Sequence, residues 1–117
     1  MILIVDSDKT IAECVAKACR AEKREVKVAH DALGAMMALE EEVPELIFMD
    51  VLLTGPDGFA FLNELITYED TAKIPVVVMS EVKFDPTDLS DYGVVEVMDK
   101  DAMTPAEVRK YVQKYAK

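Results

Sequence analysis

Four polar residues, each at or just after the end of a short aliphatic run, are the ones whose types could do chemistry together. Asp6, Asp50 and Ser80 follow such runs directly, and Lys100 follows one within two residues. Two carboxylates in one crevice repel each other unless a cation lies between them, and oxygen ligands at a solvated rim suit Mg²⁺. A hydroxyl and an ammonium would complement the oxygens of a phosphoryl group. The residue types predict metal-assisted phosphoryl chemistry on an aspartate.

This chemistry requires a fold that brings the four residues together, and the apolar pattern predicts one. Strands are predicted at Ile2–Val5, Val26–Ala29, Leu46–Met49, Val76–Met79 and Val94–Met98. The first is predicted to be buried on both faces, and Glu96 places the fifth at an edge with one face wet. Helices are predicted over Asp8–Ala21, Asp31–Glu42 and Gly58–Tyr68 and from Thr104 to about Ala116, with a short, weak helix within Glu81–Tyr92. The second helix has Leu33, Met36, Met37 and Leu39 as its apolar members.

The alternation of strands and helices predicts an α/β fold with a five-stranded parallel sheet and helices on both faces. Right-handed crossovers lead to the flavodoxin-like strand order 2-1-3-4-5. This order reverses between strands one and three, and ligands bind at the carboxyl ends beside such a reversal. Asp6 and Asp50 end these two strands, so we expect them to face each other there.

Composition sets the limits of function. The 117 residues predict a single domain over 1–117, and the net charge of −10 argues against direct nucleic-acid or membrane binding. The longest apolar runs are too short to span a bilayer, and no secretory leader precedes the first of them. Cys14 and Cys19 are predicted to be reduced, packed thiols on one helix, which favours the cytoplasm.

Four segments in order resemble the receiver domain of two-component response regulators, over nearly the whole chain. Ile2–Asp6 resembles the first strand and its acid, and Pro44–Gly58 resembles the stretch around the phosphorylated aspartate. Ile74–Ser80 resembles the strand that ends in the switch hydroxyl, and Gly93–Lys100 has the spacing of the stretch that leads to the lysine. The resemblance implies a signalling module rather than a turnover enzyme.

The resemblance also implies roles for individual residues. Asp50 would accept a phosphoryl group from a histidine kinase or a histidine phosphotransfer protein, Ser80 would bond a phosphoryl oxygen, and Lys100 would pair with it. Helix four, strand five and helix five would form the face that contacts a downstream protein or output domain. The module would be a monomer or a weak dimer.

A magnesium site is implied by the same resemblance. Asp6, Asp50 and the main-chain oxygen of Leu52 would hold Mg²⁺. The family usually has a second acid directly after the first, but here that residue is Ser7, which should weaken metal binding because the number of charges sets affinity for hard cations. Asp8 is a further candidate ligand, although its ordinary role would be the N-cap of the first helix.

Three other departures mark the chain as an atypical member. Glu81 follows the switch hydroxyl where the family has a small residue, and Val97 replaces the usual aromatic switch residue. Asp101 follows Lys100 where the family has proline. Without proline, a cis peptide bond there would cost about 3 kcal/mol, so the loop keeps that strain or is rebuilt.

Two alternative functions remain open from the sequence. The departures from the family also fit a pseudo-receiver, which would bind a protein partner without being phosphorylated. The segment Asp6–Thr10 also fits the Asp-x-Asp-x-Thr signature of haloacid-dehalogenase-type phosphatases, in which Asp6 would be the nucleophile and Asp8 the acid/base.

Overall fold

The computed structural model describes residues 1–52 and 57–116 and contains one five-stranded sheet in that part of the chain. The strands are β1 (Ile2–Val5), β2 (Val26–Ala29), β3 (Leu46–Asp50), β4 (Val76–Ser80) and β5 (Val94–Asp99). All neighbouring strands are parallel, in the order β2-β1-β3-β4-β5. The predicted fold class and strand order are therefore confirmed.

A helix follows each strand as the pattern predicts, and side chains cap the start of four of these helices. They are α1 (Lys9–Ala21), α2 (Ala32–Glu41), α3 (Asp57–Thr67), α4 (Pro86–Leu89) and α5 (Pro105–Tyr115), and a 3-10 turn over Ser90–Tyr92 follows α4. The helices α1, α2, α4 and α5 begin after Asp8, Asp31, Asp85 and Thr104, whose side chains accept hydrogen bonds from first-turn amides.

Side chains alternate across the strands, so each face of the sheet has its own apolar core. Ile2 and Ile4 pack on the side of α1 and α5, whereas Leu3 and Val5 pack on the side of α2 and α3. The three central strands are buried along their whole length. This two-sided burial is why the strands are continuous aliphatic runs rather than alternating ones.

Helix α3 begins very close to the loop that follows β3. A Cβ atom added to Gly58 would lie 1.8 Å from the main-chain oxygen of Val51, which no side chain could tolerate. Glycine at this position therefore allows α3 to start directly against the segment that carries Asp50.

The packing of α2 differs from the prediction. Leu33 and Met37 are 72% and 58% exposed, and the residues of α2 that are buried against the sheet are Ala35 and Ala38. Because these two side chains are small, α2 lies close to the sheet and its larger apolar residues lie beside it or face outward. The apolar residues of α2 were identified correctly, but half of them are not in the core.

The two cysteines also differ from each other. Cys19 is buried, as predicted, but Cys14 is exposed, so the prediction that it is packed is wrong. Burial raises the pKa of the Cys19 thiol to about 12. In the described part of the chain, no helix is long and apolar enough to cross a membrane.

Candidate functional site

Asp6, Asp50 and Lys100 meet at the carboxyl edge of the sheet, between β1, β3 and β5. Val5 is in register with Met49, so the two aspartates that follow them lie side by side. The Nζ atom of Lys100 is 2.8 Å from Asp6 Oδ2 and 2.8 Å from Asp50 Oδ2. One ammonium thus bridges two carboxylates in a place where all three side chains are largely buried.

The position of Lys100 is set by its main chain. Its amide donates a 3.0 Å hydrogen bond to the main-chain oxygen of Ser80, which extends the pairing of β4 and β5 by one step. The chain then turns around Asp99, whose main-chain oxygen accepts from Met103 N and whose Oδ1 accepts from Asp101 N. The peptide bond after Lys100 is trans, as are the others in the described segments, so the loop is rebuilt rather than strained.

The second oxygen of each aspartate is fixed by a main-chain amide. Asp8 N donates to Asp6 Oδ1 at 2.9 Å, and Leu52 N donates to Asp50 Oδ1 at 2.8 Å. Asp6 Oδ2 is fully buried and, despite its contact with Lys100, accepts no hydrogen bond of good geometry from a described residue. The site therefore has a buried carboxylate oxygen with spare capacity for a cation.

Burial and charge act against each other in this site. Burial raises the pKa of the Asp6 carboxyl, and the nearby ammonium of Lys100 only partly offsets this effect. Burial alone would lower the pKa of Lys100, but its hydrogen bond to Asp50 and its close ion pairs with Asp50 and Asp6 together outweigh this effect, so that pKa is raised. Lys100 is therefore charged at neutral pH, and the three groups carry a net charge of −1 when both aspartates are ionised.

Asp8 has the ordinary role that was considered for it. Its Oδ1 accepts hydrogen bonds from Thr10 N at 2.9 Å and Ile11 N at 3.1 Å, which caps α1 and leaves the side chain exposed. Ser7 is also exposed. The cap thus holds Asp8 Oδ1 on the first turn of α1, whereas Asp6 and Asp50 contact Lys100.

The oxygen ligands at this edge are of the kind that can hold an Mg²⁺ ion. Two carboxylates and a main-chain oxygen are hard ligands of the kind that Mg²⁺ combines with bound water. The described residues contain no group of three or more His, Cys, Asp or Glu arranged for a metal. Because Lys100 bridges the same two carboxylates, a metal ion would have to compete with it for Asp6 and Asp50.

Ser80 lies next to Asp50 at the end of the neighbouring strand. Asp50 is in register with Met79, and Ser80 is 2% exposed. Its hydroxyl oxygen accepts a 3.0 Å hydrogen bond from Val82 N, which holds the start of the loop after β4. Glu81 is exposed.

The same loop contains an aromatic residue that the sequence analysis did not single out. Phe84 lines a cavity of about 200 Å³ together with Ser80 and Val97. Its ring lies edge-on to that of Phe59, at 6.3 Å between centroids, and Phe59 meets Tyr92 at 6.4 Å. The smaller side chain of Val97 leaves room beside Phe84. The weak apolar pattern of this stretch gave no signal for the aromatic cluster.

Comparison with known proteins identifies the family. A model of the response regulator receiver domain matches residues 2–113, which is nearly the whole chain. The chain belongs to this family. Receiver domains are signalling modules of two-component response regulators that generally bind Mg²⁺ and interact with histidine kinases and output domains.

The relatives of this receiver domain are parts of larger proteins with different outputs. A protein-glutamate methylesterase/protein-glutamine glutaminase from Oleidesulfovibrio alaskensis is 30% identical over 85% of this chain and 29% of its own length. The response regulator PleD of Caulobacter vibrioides is 32% identical over 68% of this chain and 17% of its own length. The chain thus spans less than a third of these curated relatives.

A solved structure supports the fold over almost the full chain. The receiver domain of NtrX from Brucella abortus superposes with a TM-score of 0.84 at 26% identity, covering 97% of this chain and 96% of that one. The phosphatase alternative would leave the receiver-domain match over residues 2–113 without an explanation.

Proposed function

We propose that this receiver domain accepts a phosphoryl group on Asp50 in a Mg²⁺-dependent reaction. The observation that carries the proposal is the contact of Lys100 with both carboxylates, next to the buried hydroxyl of Ser80. A carboxylate, a cation and a hydroxyl on three neighbouring strands are the groups that a phosphoryl group requires.

The donor in this proposal is a phosphohistidine of a histidine kinase or a histidine phosphotransfer protein. An oxygen of Asp50 forms a bond to phosphorus while the bond from phosphorus to the donor nitrogen breaks, and the imidazole leaves with the electron pair and takes up a proton. Leu52 N, which donates to Asp50 Oδ1, fixes the carboxylate, so Oδ2 is the oxygen free to react once Lys100 moves aside.

The remaining residues have supporting roles. Asp6, Asp50 and the main-chain oxygen of Leu52 would hold Mg²⁺, which when bound neutralises charge on the phosphoryl oxygens. Lys100 then transfers its ion pair from the carboxylate to the phosphoryl group. The hydroxyl of Ser80 accepts a hydrogen bond from Val82 N, and its own hydrogen would be donated to a phosphoryl oxygen.

The signal would leave through the face formed by α4, β5 and α5. Ser80 is linked to this face directly, since its main-chain oxygen accepts from Lys100 N at the end of β5. We propose that residues 1–117 form one domain that acts in the cytoplasm as a monomer or weak dimer. Its downstream partner would be another protein or an output domain rather than nucleic acid.

A pseudo-receiver is the second candidate function, and one observation favours it. Lys100 pairs with both Asp6 and Asp50, so an ammonium of the protein itself already opposes the repulsion between these two carboxylates. In this alternative the same scaffold binds its partner constitutively, and the chemistry of Asp50 is not used.

Mass spectrometry of the protein after incubation with acetyl phosphate and Mg²⁺, and separately with a phosphorylated histidine kinase, tests the proposal. We expect an acyl phosphate on Asp50 that is absent from Asp50→Asn and from samples with EDTA. The matched control is Asp91→Asn, which changes an exposed acid away from the site and should be labelled like the wild type. No label from either donor would favour the pseudo-receiver, and label on Asp6 with turnover would favour the phosphatase.

A further inference from the structure

A groove lies between α2 and α3, on the opposite side of the sheet from α1 and α5. It has a volume of about 450 Å³ and continues into a second cavity of about 210 Å³, with Met36 and Glu64 lining both. The two together run along α2 from Ala32 to Glu41. Since ten helical residues span about 15 Å, the groove is long enough for roughly three turns of another helix.

The groove exists because of the packing of α2. Ala35 and Ala38 draw α2 against the sheet, and the longer side chains of Met36 and Leu39 are left half-buried between the two helices. The half-exposed ring of Tyr68, directly after α3, lines the same cavity and completes the apolar floor of the groove. Apolar side chains on two neighbouring helices form a surface against which the apolar face of a third helix can pack.

The rim of the groove is acidic. Among the residues that the structure describes, its lining includes five acids and no lysine, arginine or histidine; the acids are Glu40, Glu41, Glu42, Glu64 and Asp70. Lys27 pairs with Glu41, and the terminal ammonium lies 3.9 Å from Glu42. Glu40, Glu64 and Asp70 form no ion pair with a described residue, so three negative charges remain on the rim.

We propose that this groove binds a basic amphipathic helix of a partner protein, with apolar side chains on the floor and lysines or arginines at the rim. The charge pattern selects this occupant. A second copy bound through the same groove would bring acid against acid, and the net charge of −10 disfavours an anionic membrane or nucleic acid. The site is separate from Asp50, so the proposal does not depend on phosphorylation.

A synthetic peptide can test this directly. The probe is a helical 14-residue peptide, about the length of the groove plus one turn, with leucines along one face and lysines elsewhere. Titrated into the isotopically labelled protein, it should shift NMR signals of Met36, Leu39 and Tyr68 and leave those of α5 unchanged. Signal changes spread over the whole acidic surface would overturn the proposal.

Two pairs of variants separate groove binding from general charge attraction. Glu40→Lys with Glu64→Lys should weaken peptide binding by at least about tenfold, or 1.4 kcal/mol. Glu25→Lys with Asp91→Lys makes the same change in net charge at exposed positions outside the groove and should alter binding less than twofold. Equal losses in both double variants would contradict the proposal.

The apolar floor of the groove is tested by one change in the protein and one change in the peptide. Tyr68→Ser removes a ring that is 54% exposed, so the fold should be retained while peptide affinity falls. A peptide with serine in place of each leucine keeps its charge and should not bind detectably. Binding of this peptide as tight as that of the original, or self-association of the protein through the groove, would rule out the proposed occupant.

Discussion

The ammonium of Lys100 lies 2.8 Å from Asp6 Oδ2, and both side chains are almost completely buried, at 6% and 0% exposure. The same nitrogen donates a hydrogen bond to Asp50 Oδ2. Lys100 is thus placed where it opposes the repulsion between two carboxylates, which is also the task of a metal ion at such a site. The ammonium and a bound metal ion would therefore compete for the same two carboxylates.

Replacing Lys100 by alanine should destabilise the metal-free protein and strengthen its binding of Mg²⁺. Removing the ammonium leaves two buried carboxylates unpaired, at a cost of about 3–5 kcal/mol in the free energy of unfolding. Because Mg²⁺ then has no competitor, its affinity should rise by about tenfold or more, and it should restore part of the lost stability. Urea unfolding and calorimetric titration with Mg²⁺ measure the two effects.

Lys83→Ala provides the control for that experiment. Lys83 is an exposed lysine in the loop after β4, so its removal changes the net charge equally without touching the two aspartates. We expect its Mg²⁺ affinity to change less than twofold. An Mg²⁺ affinity of Lys100→Ala no higher than that of the wild type would show that the ammonium and the metal do not compete.

Asp6→Asn should stabilise the metal-free protein at neutral pH, by about 1 kcal/mol, because it makes the buried three-group site neutral. The pKa of Asp6 is raised by burial in the folded state, so the folded protein binds more protons there than the unfolded chain does. The wild type therefore loses stability as pH rises from the unfolded pKa of about 4 through the raised folded pKa.

Asp6→Asn does not lose stability in this way. Its free energy of unfolding should therefore exceed that of the wild type only slightly at acid pH. The difference should grow as pH rises from the unfolded to the folded pKa of Asp6 and then become constant. Urea unfolding between these limits, with Asp91→Asn as an exposed control, measures the difference. An advantage of Asp6→Asn that shrinks as pH rises would mean that Lys100 lowers the pKa of Asp6 more than burial raises it.

Ser80→Ala should loosen the loop after β4. The variant removes the acceptor of the 3.0 Å hydrogen bond from Val82 N, which should cost about 0.5–1.5 kcal/mol. Hydrogen exchange of the Val82 amide should become faster, and phosphorylation of Asp50 should become slower. Ser90→Ala, which removes an exposed hydroxyl that donates to Thr87 O, should leave both rates unchanged. Unchanged exchange at Val82 in Ser80→Ala would count against this role of the hydroxyl.

The two thiols should differ sharply in reactivity. Cys14 is exposed, whereas Cys19 is buried and its pKa is raised to about 12, so very little of its reactive thiolate exists at neutral pH. Iodoacetamide should modify Cys14 alone in the folded protein and both residues in urea. Peptide mapping identifies the modified residue, and rapid modification of Cys19 in the folded protein would contradict the packing of α1 against the sheet.

The sequence was sufficient to predict the sheet and the position of its polar rim. Aliphatic runs are long enough to mark each strand, and parallel connections bring Asp6 and Asp50 to one edge. The cap formed by Asp8 was also foreseeable, since an aspartate before an amphipathic run is the usual start of a helix. These features depend on local pattern and on general rules of topology.

Features that depend on packing could not be predicted in this way. Periodicity identified Leu33 and Met37 as apolar members of α2, but it could not show that Ala35 and Ala38 take the places against the sheet. The bridging position of Lys100 depends on the turn around Asp99, which has no recognisable sequence signature. The aromatic cluster around Phe84 joins distant segments through a loop of weak pattern, so it too required the structure.

Gly58 lies so close to the main-chain oxygen of Val51 that the fold itself requires glycine at this position. The fold places no such requirement on Asp50, whose proposed role is chemical. Any other amino acid at position 58 would have to push α3 away from the segment after Asp50, since a Cβ atom would lie 1.8 Å from that oxygen. A randomised library sorted only for folded protein should therefore retain glycine at 58 while accepting asparagine at 50. A lineage of this protein could lose the phosphoryl transfer proposed for Asp50 in one mutational step and still require glycine at position 58.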